Sequence, residues 1–511
     1  MRRKFLALLM CLCVVGWVSA AGAAPAKSAL MLAVDSAPVM MNPHGDDSDA
    51  NLSFMANFFD GLLQRGPDGK LVPALAVKYE HPDALTWKFE LRKGVKFQNG
   101  DAFTAADVKF TFERIADPKV SYFTNLGQSI ASIEVIDDTN VVVKTKVPLP
   151  WFADNMHQIF IMGKKSTEAA GEGDIMTRPN GTGAYKLVEW VKGSHLKVAA
   201  NADYWGGAPP IKEIEIRTIT EASTRYAALA SGQVDLVSGV PVELYAQVSK
   251  NPKLQVITEP SRRCIFLSFG NAPGTPTADI RVRKAMYMAI NEEEIIKKIM
   301  HGQAAPAAQV PDPPTVGYNP AIKRLHYDVQ AAKKLLQEAG FPNGFELTLT
   351  GPNDRYVQDA AIAQAVAEYL AKVGIKVKLD VKPKSIFFPE VNQGKLQFYL
   401  IGWFDGTYDM GRSYFKLAHT RDKERGYGEL NGAAYSDATI DKLLEDTAGM
   451  TNLAERKKAL ENLNKIAMDE KILWIPLHYQ ANTYAVQKAR NIHFSPRPDA
   501  WLVFKEISFK K

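Results

Sequence analysis

The sequence predicts an α/β fold, and residues 345–415 show this most clearly. Apolar side chains alternate over 345–349, as in a short strand, and then recur at helical spacing until Gly374 ends the helix. A second alternating strand follows at once. The mostly apolar run 396–401 then has the pattern of a strand covered on both faces. Strands that alternate with a helix in this way are typical of an α/β sheet.

A polar loop over residues 402–409 follows the last of these strands, and it is rich in aromatic and acidic side chains. Open α/β sheets bind ligands at the C-terminal ends of their strands. Asp354, Arg355 and Tyr356 stand where the first strand of the unit turns into its helix. We therefore expect the two clusters to lie along one edge of the sheet, one with positive charge and the other with negative charge and aromatic faces.

The rest of the chain, taken in order, also mixes strand and helix patterns. Thr104 and Asp107 have the spacing of a capping box that opens a helix. A Pro/Gly/Thr-rich linker is predicted at 271–277, where the character of the chain changes. Predicted strands are 29–34, 87–91, 133–143, 211–216, 472–476, 483–486 and 501–504; predicted helices are 51–63, 108–115, 222–231, 279–290, 291–302, 328–339, 438–446 and 453–467.

The N-terminus has the composition of a signal peptide. Three basic residues are followed by the apolar run 5–18 and by Ala21-Gly22-Ala23, a small-residue cleavage motif. We therefore expect residues 1–23 to direct export to the periplasm, by either the general secretory or the twin-arginine route. The chain of 511 residues, 46% hydrophobic and 23% charged, is otherwise that of a soluble protein with two or three domains.

Charge and residue usage argue against several classes of function. Without residues 1–23 the formal net charge falls from +6 to +3, which is too small to indicate nucleic-acid or membrane-surface binding. Cys264 is then the single cysteine, and a buried, inert thiol is expected. The nine histidines are scattered, so no metal set or cofactor is predicted. His44 is the candidate ligand if a metal binds, and His478 is expected in the core. No nucleophile or phosphate-loop motif is found, so no enzyme is predicted.

Five groups of segments, in order along most of the chain, give a family resemblance. Together they resemble the peptide/nickel class, family 5, of bacterial extracellular solute-binding proteins, which includes the dipeptide- and oligopeptide-binding proteins of ABC importers. The segments are LVPALA at 71–76 with TWKFELRKGVKF at 86–97; residues 101–114 with TAADV at 104–108; NGTGAY at 180–185 with DYWGG at 203–207; ALASGQVD at 228–235; and residues 281–290 with 331–340 and Gly-Trp at 402–403.

The resemblance implies a two-lobed periplasmic-binding-protein (Venus-flytrap) fold with an extra N-terminal subdomain in lobe I. Such a protein is expected to be a monomer that binds a small-molecule or peptide ligand and then an ABC permease. The implied ranges are 1–23 for the signal peptide; 24–50, 180–270 and 482–511 for a discontinuous lobe I; 51–179 for the inserted subdomain; and 271–481 for lobe II.

The resemblance also implies roles for single residues. Arg355 matches the arginine that holds the ligand's carboxylate, as a planar guanidinium can do in bidentate fashion. Asp405 or Asp409 is expected to hold the ligand's amine. Trp403 and Tyr408 are candidates for stacking on the ligand, with core packing as the alternative for Trp403.

The acidic pattern of the loop departs from the family. Asp405 comes one residue earlier than the family's acid, and Gly406 stands in the expected place. This departure puts a plain dipeptide with a free α-amine in question. Arg412 in the same loop is interpreted either as a partner for a second acidic group or as a solvated side chain.

Three functional hypotheses follow. The leading one is the periplasmic component of an ABC importer that captures a small zwitterionic solute, such as a di- or oligopeptide. The alternative keeps the fold but replaces the solute by an opine, a glutathione-like peptide, a sugar or a metal chelate. The third, a secreted hydrolase, lacks a nucleophile or metal set in the sequence.

Overall fold

The computed structural model describes residues 29–510, so the predicted signal peptide lies outside the described residues. The strands are β1 Ala29–Val34, β2 Leu63–Arg65, β3 Leu71–Pro73, β4 Ala76–Asp83, β5 Thr86–Leu91, β6 Ile130–Asp137, β7 Asn140–Thr145, β8 Tyr185–Val191, β9 His195–Ala200, β10 Glu213–Thr218, β11 Leu236–Ser238, β12 Leu254–Phe269, β13 Ala304–Pro306, β14 Glu346–Pro352, β15 Lys376–Lys382, β16 Phe398–Trp403, β17 Trp474–Gln487, β18 Ile492–His493 and β19 Ser508–Phe509.

Sixteen α-helices accompany these strands in the described part of the chain. They are α1 Asp49–Phe58, α2 Ala105–Ile115, α3 Thr124–Gln128, α4 Phe152–Asn155, α5 Lys164–Ala169, α6 Glu172–Ile175, α7 Ala222–Ala230, α8 Tyr245–Lys250, α9 Ile280–Ala289, α10 Glu292–Lys298, α11 Val329–Glu338, α12 Asp359–Ala371, α13 Lys384–Gln393, α14 Met410–Leu417, α15 Ala438–Ala448 and α16 Leu453–Lys465. Over residues 29–510, none of the helices combines the length and the apolar character that a bilayer crossing requires.

Eleven strands form one large mixed sheet. Its order is β15-β14-β16-β12-β17-β11-β1-β10-β9-β8, and β13 pairs with β17 off this path. A separate four-stranded antiparallel sheet, β4-β5-β7-β6, forms with α2 and α4 a smaller unit near the N-terminus. The long strands β12 and β17 stand at the centre of the large sheet and connect its two ends.

Buried side chains form two large clusters, one at each end of the large sheet. One cluster packs around β12, β14, β16 and the first half of β17 with α9 and α12, and we call this part of the molecule lobe II. The other packs around β1, β9, β10 and the second half of β17 with α1, and we call it lobe I. The four-stranded sheet has a core of its own beside lobe I. The exact domain boundaries given above remain a prediction.

Strands β12 and β17 carry the chain between the lobes, β12 from lobe I to lobe II and β17 back again. They pair in antiparallel fashion on both sides of a register break, where Pro260 faces Ala481 and Cys264 faces Tyr479. Three residues of β12 therefore stand opposite a single residue of β17. Such a bulge bends the strand and changes the direction in which its side chains point.

Four local features differ from the sequence prediction. Helix α13 lies between the two strands that were expected to follow each other, and residues 133–143 form the β6–β7 hairpin rather than one strand. The predicted strands 472–476 and 483–486 belong to one continuous strand, β17. Residues 501–504 form no strand; Trp501 and Phe504 instead pack as single side chains in the lobe I core.

Candidate functional site

The candidate site lies at one edge of the lobe II sheet, where three strand ends meet. Strands β14 and β16 are parallel neighbours, so their C-terminal ends reach the same edge. Strand β12 runs antiparallel to β16, and Cys264 faces Trp403, which brings the start of its lobe II half to that edge as well. The Tyr356 hydroxyl donates a 3.0 Å hydrogen bond to the Gly402 carbonyl and fixes the β14 loop on the β16 loop.

Arg355 lies on this edge with an exposed side chain. Its loop is held in place by Asp359 at the start of α12, whose carboxylate accepts hydrogen bonds from the backbone N–H of Arg355 (2.9 Å) and of Tyr356 (3.0 Å). The guanidinium stacks over the Tyr356 ring, 5.4 Å from its centroid. Its position is therefore compatible with binding an anion, and the predicted carboxylate contact stays a prediction.

Asp405 is buried and already has cationic and polar partners. Arg412 donates to both of its carboxylate oxygens, at 2.9 and 3.0 Å, and the Thr407 N–H donates at 2.8 Å. Burial alone would raise the pKa of this carboxyl, but the Arg412 guanidinium and the Thr407 donors outweigh it and hold the pKa below its usual value. Asp405 thus organises its own loop, and Arg412 has an acidic partner from the protein itself.

Asp409 is also engaged inside lobe II. It caps the N-terminus of α14, and its carboxylate forms an ion pair with Arg456 of α16, with a 2.9 Å contact from Nη2 to Oδ1. Both side chains of this pair are almost fully buried. A ligand amine at Asp405 or Asp409 would have to share a carboxylate that an arginine already holds.

Tyr408 contacts two arginines that come from different parts of the chain. The Arg65 guanidinium is 4.1 Å from its ring centroid, and the Arg262 guanidinium is 3.3 Å from it. Tyr408 has a φ of +58°, a left-handed conformation that a bulky residue rarely adopts. Trp403 is half-buried and donates a 3.0 Å hydrogen bond to the Ser413 hydroxyl.

Arg262 and Arg263 were not singled out by sequence reasoning, because both lie in the register break of β12. Arg262 is buried and donates to the two Asp312 carboxylate oxygens, each at 2.9 Å. Arg263 stacks over the Phe404 ring, 4.7 Å from its centroid, and reaches the cleft. The sequence does show two adjacent arginines before an apolar strand, and this pair could have drawn attention to the segment. No local pattern indicates that one side chain is buried and the other reaches the cleft.

Asp49, the first residue of α1 in lobe I, faces Arg263 across the cleft. The distance from Nη2 of Arg263 to the carboxylate is 3.7 Å, which is too long for a hydrogen bond. Desolvation outweighs the attraction of Arg263 and Arg355 and raises the pKa of Asp49 to about 6, although 44% of its side chain is exposed. The pair is therefore a weak link between the lobes.

Other polar contacts also join lobe II to the lobe I side. Arg65, at the end of β2, donates a 2.9 Å hydrogen bond to the Thr407 carbonyl, and Gln358 donates to Glu243. Gly406 lies so close to Gln158 that an added Cβ would overlap its amide nitrogen. The lobes are thus in contact across the cleft through polar groups, which a bound solute can replace.

Metal-binding side chains do not cluster in the part of the chain that the structure describes. No group of three or more His, Cys, Asp and Glu side chains is placed to hold an ion between residues 29 and 510. Burial lowers the pKa of His44 to about 3 and that of His478 to about 4, so both are neutral core residues at pH 7. Cys264 is buried, and burial raises the pKa of its thiol.

Comparisons with known proteins give one consistent result. Residues 70–425 match the model of the bacterial extracellular solute-binding proteins, family 5 middle. The glutathione-binding protein GsiB of Escherichia coli O1:K1 / APEC is 30% identical over 495 residues, 94% of each chain.

Two solved structures share the fold over 94% of this chain. HbpA2 of Haemophilus parasuis has a TM-score of 0.84 with 22% identity, and all of its chain is covered. The periplasmic binding protein DppA of Helicobacter pylori, in complex with the peptide STSA, has a TM-score of 0.76 with 25% identity over 98% of its chain. The predicted two-lobed α/β fold is thereby confirmed.

Proposed function

The chain belongs to family 5 of the bacterial extracellular solute-binding proteins, and from this we propose that it is the periplasmic receptor of an ABC importer. It captures a small zwitterionic solute between its lobes and delivers it to the permease. It works as a monomer and catalyses no reaction.

The proposed solute is a short peptide. Relatives named for glutathione and a structural neighbour that holds the peptide STSA both support peptide-sized cargo. A glutathione-like γ-peptide is the second candidate. It carries two carboxylates, and Asp405 and Asp409, the acids expected to hold an α-amine, are both already held by arginines.

The observation that carries the proposal is the exposed guanidinium of Arg355 at an edge that lobe I faces. Its loop is fixed by hydrogen bonds to Asp359, so the cation is already positioned. A solute that contacts Arg355 and lobe I together binds the closed arrangement better than the open one. That difference in affinity is what drives closure.

A binding assay on Arg355→Ala tests this role. A ligand screen by thermal shift identifies the peptide, since a ligand specific for the folded state raises the melting temperature. Calorimetry then compares wild type with the variant. Loss of a charged contact to the carboxylate is expected to weaken binding by on the order of a hundredfold.

Lys333→Gln is the matched control, because it also removes one positive charge from lobe II. Lys333 is exposed on α11, a helix that packs on α9. Unchanged affinity in Arg355→Ala would remove Arg355 from the site. Absence of any thermal shift with peptides, together with a shift with an opine, sugar or metal chelate, would transfer the proposal to the alternative solute class. Turnover of a peptide during the incubation would contradict a purely binding role.

A further inference from the structure

Two arginines, Arg263 and Arg355, reach the same end of the cleft from different strands. Arg263 stands in the bulge of β12, and Arg355 follows β14. The Tyr356 ring centroid is 6.0 Å from the Arg263 guanidinium and 5.4 Å from the Arg355 guanidinium, so both cations lie beside the same ring. Desolvation, and then the positive charge of Arg355, lowers the pKa of the Arg263 guanidinium.

Aromatic rings hold both guanidiniums in place. Arg263 lies over Phe404 at 4.7 Å, and Arg355 lies over Tyr356 at 5.4 Å. Stacking uses the faces of the guanidinium groups and leaves their N–H edges available. Within residues 29–510, neither guanidinium donates a hydrogen bond to a protein acceptor, and the one acid in contact with Arg263 is Asp49, at 3.7 Å.

This arrangement differs from that of every other arginine around the loop. Arg262, Arg412 and Arg456 each donate to a carboxylate at hydrogen-bonding distance. Arg263 and Arg355 thus carry donors and charge that the protein itself does not match. Two positioned cations without matched anions are the chemistry that binds two carboxylates.

We propose that Arg263 and Arg355 together bind a peptide with two carboxylates, and that Arg263 determines the preference for such a solute. This inference rests on the proposed function, because it takes the cleft as the binding site. One carboxylate is held by Arg355, and the second is held by Arg263. A γ-glutamyl peptide or a peptide with an acidic side chain belongs to this class.

The position of Arg263 also connects recognition to movement. Its backbone lies in the bulge where β12 passes between the lobes, and its partner Asp49 belongs to lobe I. A solute carboxylate at Arg263 replaces the distant Asp49 contact with a direct one. Asp49 therefore competes with the solute, and Asp49→Asn is expected to keep or strengthen the binding of dicarboxylate peptides.

Calorimetry with pairs of peptides that differ in one carboxylate tests the proposal. The pairs are Ala-Glu with Ala-Gln, and glutathione with its glycine ethyl ester. We expect wild type to bind the dicarboxylate member of at least one pair roughly 10- to 100-fold more tightly. In Arg263→Gln that preference is expected to disappear, while the affinity for the monocarboxylate member changes by less than about threefold.

Two further variants keep the result decisive. Arg263→Lys keeps the charge but loses the planar fork, so it should retain part of the preference, and it replaces Arg263→Gln if that variant does not fold. Lys333→Gln controls for net charge and should behave as wild type. The proposal would be overturned if wild type bound both members of each pair equally, or if Arg263→Gln kept the full preference. If Arg263→Gln does not fold, the full preference in Arg263→Lys would overturn it. If none of the four peptides binds, the proposed function itself is contradicted.

Discussion

Two carboxylates in the loop after β16 have roles that their place in the sequence does not reveal. From the sequence, either Asp405 or Asp409 was expected to hold the ligand's amine, and this contact stays a prediction. In the structure each carboxylate accepts from an arginine of lobe II, Arg412 for the first and Arg456 for the second. Because Arg456 lies 47 residues further along the chain, only the folded structure shows this pairing.

Asp409→Ala separates a structural role from a ligand-binding role. The substitution leaves the buried guanidinium of Arg456 without its carboxylate, which costs about 3–5 kcal/mol. Urea-induced unfolding of the ligand-free protein should show this loss. Asp446→Asn, which breaks an exposed pair with Lys442, should cost less than about 1 kcal/mol. Wild-type stability combined with a large loss of affinity in Asp409→Ala would instead identify Asp409 as a ligand residue.

The position of Arg355 was predictable from the sequence, whereas that of Arg263 was not. Arg355 stands between a strand and a helix, and the local hydrophobic pattern predicts that a residue there lies at the edge of the sheet. Arg263 depends on a register break between two strands that are about 200 residues apart in the chain. The pattern of residues around Arg263 contains no information about that partner strand, so the sequence did not place this side chain in the cleft.

At the scale of elements, the loop between β16 and α14 connects lobe II to Arg65 of β2, on the other side of the cleft. Its Tyr408 ring contacts the guanidiniums of Arg65 and Arg262, and its Thr407 carbonyl accepts from Arg65. Arg65 is itself oriented by Asp154, with a 2.6 Å ion-pair contact. The loop thus forms polar and cation–π contacts with Arg65 across the cleft.

Arg65→Gln is expected to favour the open arrangement. The variant loses the hydrogen bond to Thr407 and the cation over Tyr408, contacts that join the two sides of the cleft. Small-angle X-ray scattering of the ligand-free variant should give a larger radius of gyration than wild type. Lys70→Gln, which replaces a lysine that is 81% exposed, is the control, and its radius of gyration should match that of wild type. An unchanged radius for Arg65→Gln would show that this contact does not hold the lobes together.

Helices and strands with a clear hydrophobic periodicity were predictable from the sequence, and those without one were not. The strands and the helix of residues 345–401 occur as β14, α12, β15 and β16. Helix α13 was missed because Ile386, Phe387 and Phe388 are consecutive and Pro389 interrupts the pattern, so no helical period stands out. The hairpin β6–β7 turns without glycine: Asp137 accepts from the Thr139 N–H at 2.7 Å and stabilises the turn.

At the scale of the whole molecule, two strands form the connection about which the lobes can move. Strands β12 and β17 pair on both sides of the break at Pro260 and Cys264, while the two large cores lie on either side of it. We expect a bend at this break to change the distance between the lobes and to leave each core packed. Closure around a solute would then change one short segment, and the solute's contacts with both lobes would determine which arrangement is populated.

A crystal structure with the peptide that gives the largest thermal shift would show directly whether the cleft binds the solute through Arg355. We expect the peptide to lie between the lobes, with a carboxylate oxygen about 2.9 Å from the guanidinium of Arg355. A peptide enclosed in the cleft with its carboxylates away from both Arg355 and Arg263, or bound outside the cleft, would contradict it.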